Sequence, residues 1–143
     1  RQELIEDYLR KEMLRKRIPD KLRANSLTEA AKITASFAIK IPLNEESATL
    51  IFREVYESIR QIGDALLWIK GYEAKSHEPS IEILKDLEIR NKLKLMYIDR
   101  FRRIRNDANY RGYKISLAQT KEIVEFWITC GNEIIEEVKK SLK

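Results

Sequence analysis

The stretch that decides the fold, residues 44–71, reads NEESATLIFREVYESIRQIGDALLWIKG. Its apolar residues recur at steps of three and four, which is the spacing of one face of an α-helix. Asn44 is a suitable N-terminal cap, and Gly71 is a natural stop because glycine tolerates the left-handed conformation that ends many helices. The pattern predicts one long, buried helix from Asn44 to Lys70. The residues of its apolar face are Ile51, Val55, Ile59, Ile62, Leu66 and Ile69.

Two further helices are predicted upstream of this stretch. One begins at Ser26, which forms a capping box with Glu29, and closes at Ile41-Pro42. The residues expected on its inner face are Ala30, Ile33 and Phe37. The first helix is predicted from Gln2 to Ile18, and Pro19-Asp20 ends it. Because many of its residues are charged, we expect residues 1–20 to form a peripheral arm that packs on a partner.

Three helices are predicted downstream. After a loop from Tyr72 to Glu78, a short helix begins near Pro79, a residue favoured in first turns, and includes Ile81 and Leu84. The next helix spans Ile89 to Asn109. Its expected apolar stripe is Ile89, Leu93, Tyr97, Phe101, Ile104 and Ala108. The last helix runs from Ser116 or Leu117 nearly to Lys143. Its expected inner face is Ile123, Trp127, Cys130, Ile134 and Val138.

The fold class follows from these helical patterns. No strand-like alternation stands out, and only 4 Gly and 3 Pro occur in 143 residues. The sequence therefore predicts one all-α domain over residues 1–143, an up-and-down antiparallel bundle of four to five main helices plus a short one. No apolar run reaches the roughly 18 residues of a membrane span, and the charged N-terminal segment does not resemble a signal peptide. We expect no membrane partner and a cytoplasmic location.

Positive charge is concentrated in one segment. Residues 90–114 hold nine Lys or Arg against two Asp, a local net charge of +7, whereas the whole chain carries +5. A basic stripe on a nearly neutral body suggests an anionic partner. A solvated helix face or a dimer contact is the alternative explanation.

Several catalytic classes lack their residues. The four glycines are scattered, so no Gly-rich phosphate loop is present. One histidine and one cysteine cannot supply the usual ligands of a zinc site, and we expect no metal and no cofactor. His77 is interpreted as a surface loop residue because no nucleophile motif surrounds it. Cys130, on an apolar helix face, is interpreted as a buried small hydrophobe.

One segment is distinctive: residues 99–113 read DRFRRIRNDANYRGY. Four polar side chains there share a face at positions i, i+3, i+4 and i+7, namely Arg102, Arg105, Asn106 and Asn109. Guanidinium groups hold phosphate through paired hydrogen bonds, amides bind ribose or base edges, and tyrosines such as Tyr110 and Tyr113 stack on bases. The segment therefore suits single-stranded RNA or a nucleotide. Alternatively, Arg103 and Asp107 form an i, i+4 ion pair, and Arg105 and Asn109 cap carbonyls or join a network between subunits.

Two stretches resemble the HEPN family of small α-helical bundles. Residues 53–67, REVYESIRQIGDALL, followed by Gly71-Tyr72 and Ser76-His77-Glu78, are similar to the family's long second helix and the loop after it. Residues 105–110, RNDANY, resemble the family's signature of Arg, a polar residue, three further residues and His. The resemblance covers the chain from about Ser26 to the C-terminus.

The resemblance implies a homodimer formed through the helices that bear this signature. Many HEPN proteins are metal-independent endoribonucleases, often toxins paired with a nucleotidyltransferase-type antitoxin, in which His transfers protons and Arg steadies the phosphate. By this resemblance the catalytic candidates are Arg105 and Tyr110. The further RNA-binding candidates are Arg102, Arg103, Asn106, Asn109, Arg111 and Tyr113.

Tyr110 departs from the signature because it stands in the position of the His. A free tyrosine titrates near about pH 10, so it is a poor base at neutral pH. Arg105 and Tyr110 are also separated by about 140° around a helix, so they meet only if the helix frays or a second subunit supplies one of them. Three functions follow: an RNA- or nucleotide-binding protein, with or without endoribonuclease activity; a non-catalytic interaction module for itself or a nucleotidyltransferase-like partner; and, ranked last, a DNA-binding bundle.

Overall fold

The computed structural model describes residues 1–143 and places 72% of them in helices, so the protein is an all-α helical bundle, as predicted. A small antiparallel sheet of two three-residue strands accompanies the helices. The helices are α1 (Gln2–Arg10), α2 (Lys21–Ala38), α3 (Ala48–Lys70), α4 (His77–Leu84), α5 (Tyr97–Arg111) and α6 (Leu117–Ser141). The strands are β1 (Leu14–Lys16) and β2 (Tyr72–Ala74), and a 3-10 helix (Lys92–Met96) leads into α5. None of these helices combines the length and the apolar character needed to cross a membrane.

Helix α3 is central to the bundle and packs against α2, α4 and α6. The Oδ1 of Asn44 accepts hydrogen bonds from the amides of Glu46 and Ser47, so Asn44 caps the turn that precedes the helix. Gly71 ends the helix in the left-handed conformation, with φ of 88°. The long buried helix predicted from the sequence is therefore confirmed, with its first residue moved to Ala48. Of its predicted apolar face only Ile69 is half-buried rather than buried.

Three phenylalanine rings join α3, α5 and α6 in the core. Phe101 of α5 meets Phe52 of α3 edge to face, with ring centroids 6.0 Å apart, and meets Phe126 of α6 in the same way at 5.4 Å. Aromatic pairs prefer this geometry, because the positive edge of one ring faces the negative face of the other. The contact fixes which side of α5 turns inward.

The N-terminal region differs from its prediction. Helix α1 ends at Arg10 rather than Ile18, and the chain then turns through Glu12, which has a φ of 58°. Strand β1 follows and pairs with β2, which occupies part of the predicted loop after α3. Three-residue strands are too short to show the alternation by which a strand is recognised. Tyr8 and Leu14 are buried against Leu67 of α3, so this region packs on its own chain.

Helix α2 also differs, both in its start and in its orientation. It begins at Lys21, and Asp20 caps it by accepting a hydrogen bond from the amide of Arg23, so Ser26 is not a cap. The residues it buries are Ala24, Thr28, Ala31, Ala35 and Ala38. Ile33 and Phe37, predicted to face the core, are 67% and 70% exposed. The small residues face α3 because they allow the two helices to approach more closely than Ile and Phe would.

The helix predicted from Ile89 begins later, at Tyr97, after the 3-10 helix. Leu93 is 87% exposed and Tyr97 is also exposed, so both were wrongly assigned to the apolar stripe. A shift from α-helical to 3-10 geometry changes the spacing of a helical face, which displaces these residues from it. Phe101, Ile104 and Ala108 are buried as predicted, and Gly112 ends α5 with φ of 70°.

The last helix, α6, matches its prediction closely. Ser116 accepts a hydrogen bond from the amide of Gln119, and the Gln119 side chain accepts one from the amide of Ser116, which completes a capping box. Every residue of the predicted inner face is buried. Cys130 is a buried free thiol, and burial raises its pKa, which agrees with a packing role.

Candidate anion-binding site

The arginine-rich face of α5 lies beside α3 and the start of α4. Asn109 shows this most directly, because its Oδ1 accepts a hydrogen bond from Nη2 of Arg53 in α3 at 3.0 Å. About two turns earlier on the same face, Nη2 of Arg102 lies 3.9 Å from Oε1 of Glu78 in α4. Arg105 lies between these two contacts on the same face. The structure therefore confirms that Arg102, Arg105 and Asn109 share one side of the helix.

Arg105 lacks a compensating negative charge. It is half-buried, yet it forms no ion pair, and the Glu78 contact of Arg102 is long. The Nε of Arg102 is buried without any hydrogen-bond partner. By contrast, Arg100 on the opposite side of α5 forms a paired contact with Glu122, with Nε 2.8 Å from Oε2. A partly desolvated, unpaired guanidinium is costly, so this pair of arginines favours an anion.

The only histidine of the chain lies at this site, which corrects its interpretation as a surface loop residue. His77 is the first residue of α4 and is half-buried, and its Nδ1 is hydrogen-bonded to the hydroxyl of Tyr56 at 3.3 Å. Burial lowers the pKa of His77, and the charges of Arg60, Arg105 and Arg102 lower it further. Its imidazole is therefore held in the neutral form at neutral pH.

Tyr56 responds to the same charges. Burial raises the pKa of its hydroxyl to about 12, and the charges of Arg102 and Arg105 oppose that rise. Because both arginines act on both Tyr56 and His77, the four side chains form one electrostatic group. We refer to Tyr56, His77, Arg102 and Arg105 as the α3–α5 site.

A polar network beneath this site holds α4 against α3. Arg60 forms ion pairs with Glu57 and Asp64 of its own helix, and Asp64 accepts a hydrogen bond from the hydroxyl of Ser80 in α4. Burial raises the pKa of the Asp64 carboxyl, and the hydrogen bond from Ser80 opposes that rise. Gly63 allows this contact, because a Cβ at that position would overlap the Ser80 carbonyl group. The network fixes the start of α4, and so the position of His77.

The remaining predicted residues are not gathered at the site, and all of them except Asn106 are exposed. Tyr110 is 83% exposed and makes no side-chain hydrogen bond, so the structure does not bring it to Arg105 within one chain. Asn106 is half-buried without a partner, and no ion pair joins Arg103 to Asp107. Asn109 bonds a side chain of α3 rather than capping α5. The other exposed candidates are Arg103, Arg111 and Tyr113.

His77 and Tyr56 are the site residues that sequence reasoning missed. Tyr56 follows Phe52 by four positions and precedes Ile59 by three, so its hydroxyl was hidden in a pattern of core residues. His77 lies 28 positions before Arg105 in the sequence, and only the packing of α4 and α5 on α3 brings them together. The one available signal was that both residues fall within the first stretch that resembles the HEPN family.

The α3–α5 site contains two kinds of chemical group. The guanidinium groups of Arg102 and Arg105 can hold an anion, and the neutral imidazole of His77 can accept a proton. No three His, Cys, Asp or Glu side chains converge anywhere in the structure in a way that could hold a metal ion. Comparison of the chain with protein-family models, curated proteins and solved structures gives no match.

Proposed function

We propose that this protein is a HEPN-like protein that binds RNA or a nucleotide through its phosphate groups at the α3–α5 site. The observation that carries the proposal is Arg105, half-buried beside Arg102 and without an acidic partner. A phosphate that accepts hydrogen bonds from both guanidinium groups would neutralise them and satisfy the buried Nε of Arg102.

Exposed groups around the site favour an extended ligand over a free phosphate ion. Tyr110 and Tyr113 offer faces on which bases can stack, and Asn106 has a free amide. Arg103, in the middle of α5, and Arg111, its last residue, add exposed positive charge. In this proposal Tyr110 contacts a base, and two copies of the chain can combine their sites along one strand.

Fluorescence anisotropy with a labelled single-stranded RNA, in EDTA and at low salt, tests the binding. We expect Arg105→Ala to weaken binding about tenfold or more, because hydrogen bonds to charged groups contribute about 1.5–3 kcal/mol. Arg100→Ala is the matched control, because it removes the same charge from the side of α5 that faces away from the site. There the guanidinium of Arg100 is already hydrogen-bonded to Glu122. Equal weakening by both variants would mean that only net charge matters. No binding by the wild type would contradict the proposal.

A second candidate function is the interaction module, and the exposed Ile33 and Phe37 favour it. These two large apolar residues lie one turn apart on the outer face of α2. Exposed apolar residues grouped on one face are typical of surfaces that contact another protein, here a second copy or a nucleotidyltransferase-type partner. The two functions are compatible, because the outer face of α2 and the α3–α5 site involve different residues.

A further inference from the structure

We propose that the corner between β1 and α2 docks on the surface of an anionic phospholipid bilayer. The β1–α2 corner comprises residues 15–23, RKRIPDKLR, which hold five Lys or Arg against one Asp, a local net charge of +4. The inference does not depend on RNA binding, because the corner contains no residue of the α3–α5 site. It departs from the expectation that no membrane is a partner. That expectation rested on the lack of an apolar run long enough to span a bilayer, and binding at the surface needs no such run.

The observation that carries the inference is the exposure of two aliphatic side chains at this corner. Ile18 and Leu22 are each 85% exposed, and among the large apolar residues of the chain only Leu93 is exposed more. A side chain with this exposure projects from the surface. The two residues stand on either side of Pro19-Asp20, so the corner presents a small apolar tip to the solvent.

The fold holds this tip outward. The amide of Arg17 donates a hydrogen bond to the carbonyl of Gly71 at 2.9 Å, and the amide of Asp20 donates one to the carbonyl of Trp68 at 3.1 Å. Both carbonyls lie at the C-terminal end of α3, so the corner is tied to that helix on both sides of Ile18. Ile18 therefore cannot turn into the core unless these two hydrogen bonds break.

Positive charge surrounds the tip, and most of it is uncompensated. All five Lys and Arg of the corner are exposed. Arg17 pairs with Glu73 at 3.0 Å. Arg23 lies 3.8 Å from Asp20. The three that form no ion pair are Arg15, Lys16 and Lys21. Each Lys or Arg close to an anionic membrane surface strengthens binding about fivefold, so the unpaired groups favour such a surface.

The kind of apolar side chain favours lipid over RNA or protein. Bases stack on aromatic rings, which Tyr110 offers beside the α3–α5 site and which Ile18 and Leu22 lack. Protein interfaces depend mainly on Trp, Tyr and Arg in closed pockets, and leucine is under-represented among the residues that dominate their affinity. Aliphatic residues flanked by Lys and Arg are typical of segments that lie among the headgroups of an anionic bilayer. There the apolar tip enters the boundary with the acyl chains, and the basic groups contact the phosphates.

Co-sedimentation of the full chain with vesicles tests the inference. Vesicles of phosphatidylcholine alone are compared with vesicles of equal parts phosphatidylcholine and phosphatidylglycerol. We expect binding to the anionic vesicles only, and loss of this binding at high salt, because salt screens exposed charges. Lys16→Gln and Lys21→Gln should each weaken binding about fivefold.

Leu22→Glu tests the apolar contact, and Leu93→Glu is its matched control. The two leucines are 85% and 87% exposed, each lies between two basic residues, and both substitutions change the net charge equally. Leu22→Glu should weaken vesicle binding about tenfold or more, because it replaces an inserted aliphatic side chain by a carboxylate. An acidic residue in the first turn of α2 stabilises a helix, so this variant should fold normally. Leu93→Glu should bind vesicles as the wild type does.

The outcomes separate this inference from the proposed function. Arg105→Ala, which should weaken RNA binding, should leave vesicle binding unchanged. Wild type that does not bind anionic vesicles at low salt, or that binds neutral vesicles equally well, overturns the inference. Equal weakening by Leu22→Glu and Leu93→Glu also overturns it, since net charge alone would then decide. If Leu22→Glu weakens the binding of labelled RNA and leaves vesicle binding intact, the ligand of the corner is RNA and not lipid.

Discussion

The hydroxyl of Tyr56 and Nδ1 of His77 lie 3.3 Å apart, and this contact joins the buried centre of α3 to the first residue of α4. The two rings are tilted by 36°, with centroids 6.0 Å apart, so they meet at their polar atoms and do not stack. Tyr56 has no exposed surface, whereas His77 is half-buried. The imidazole is therefore anchored by a residue of the core, and the charges of Arg102 and Arg105 in α5 lower its pKa.

The pKa of His77 reports directly on this arrangement. Because the chain has a single histidine, its imidazole resonances can be followed by NMR without assignment. We expect a pKa below the usual 6.5, since burial and the arginine charges disfavour the imidazolium. Arg105→Gln should raise this pKa, and Arg100→Gln, on the far side of α5, should leave it unchanged. A wild-type value at or above 6.5 would contradict the placement of His77 beside the arginines.

The same shift predicts how stability depends on pH. Between the lowered pKa of folded His77 and about 6.5, the unfolded chain binds a proton that the folded chain does not. The contribution of His77 to the free energy of unfolding is thus complete above pH 6.5 and is lost as the pH falls through the folded pKa. Urea denaturation of wild type and His77→Asn at several pH values measures it. The free energy of unfolding of wild type minus that of His77→Asn should grow toward neutral pH. A difference that does not change with pH would contradict the prediction.

The exposed face of α2 gives a prediction about association. If Ile33 and Phe37 contact another copy of the chain, then Phe37→Lys should lower the apparent mass in sedimentation equilibrium. It should change the free energy of unfolding by less than about 0.5 kcal/mol, as surface substitutions usually do. Ile59→Ala, in the buried face of α3, should cost about 2–5 kcal/mol and serves as the contrast. A monomeric wild type would remove the argument for self-association through this face.

The fold was predictable where a helical pattern coincided with clear end signals. Helix α3 has a periodic apolar face and ends at Gly71, and α6 has the capping box of Ser116 and Gln119, so both were predicted within a few residues. Helix α2 shows the opposite case. One face of α2 carries small residues, and another carries Ile33 and Phe37. Hydrophobicity alone predicts that the face with the larger residues packs in the core. Close packing of alanines against α3 decided the orientation, and that depends on the partner helix.

The candidate site was only half predictable for a related reason. Arg102, Arg105 and Asn109 share a face because of helix geometry, which a sequence shows directly. His77 joins them only through tertiary packing, since α4 must lie on α3 at the level of Tyr56. Strands β1 and β2 contribute, because their pairing shapes the chain that leads from Gly71 to His77. None of these contacts leaves a periodic pattern in the sequence.

Gly63 provides a test of the contact that positions α4. Alanine normally stabilises the middle of a helix by about 0.5–1 kcal/mol relative to glycine. At Gly63, however, a Cβ would lie 2.7 Å from the carbonyl carbon of Ser80 and would overlap its oxygen, and neither atom can move without moving α4. We therefore expect Gly63→Ala to lower the free energy of unfolding by about 1–3 kcal/mol, the usual cost of overpacking.

The displacement of α4 in Gly63→Ala should also reach His77. Ser80 lies three residues after His77 on α4, so a shift of this helix should weaken the bond to Tyr56 and move the pKa of His77 toward 6.5. The control is Gly112→Ala, at the end of α5. A Cβ added at Gly112 would have no neighbouring atom within 4 Å, so the substitution should lower the free energy of unfolding by about 1 kcal/mol through the positive φ alone. That variant should lose stability without changing the His77 titration. If Gly63→Ala is as stable as wild type, α3 and α4 do not pack as closely as the Ser80 contact requires.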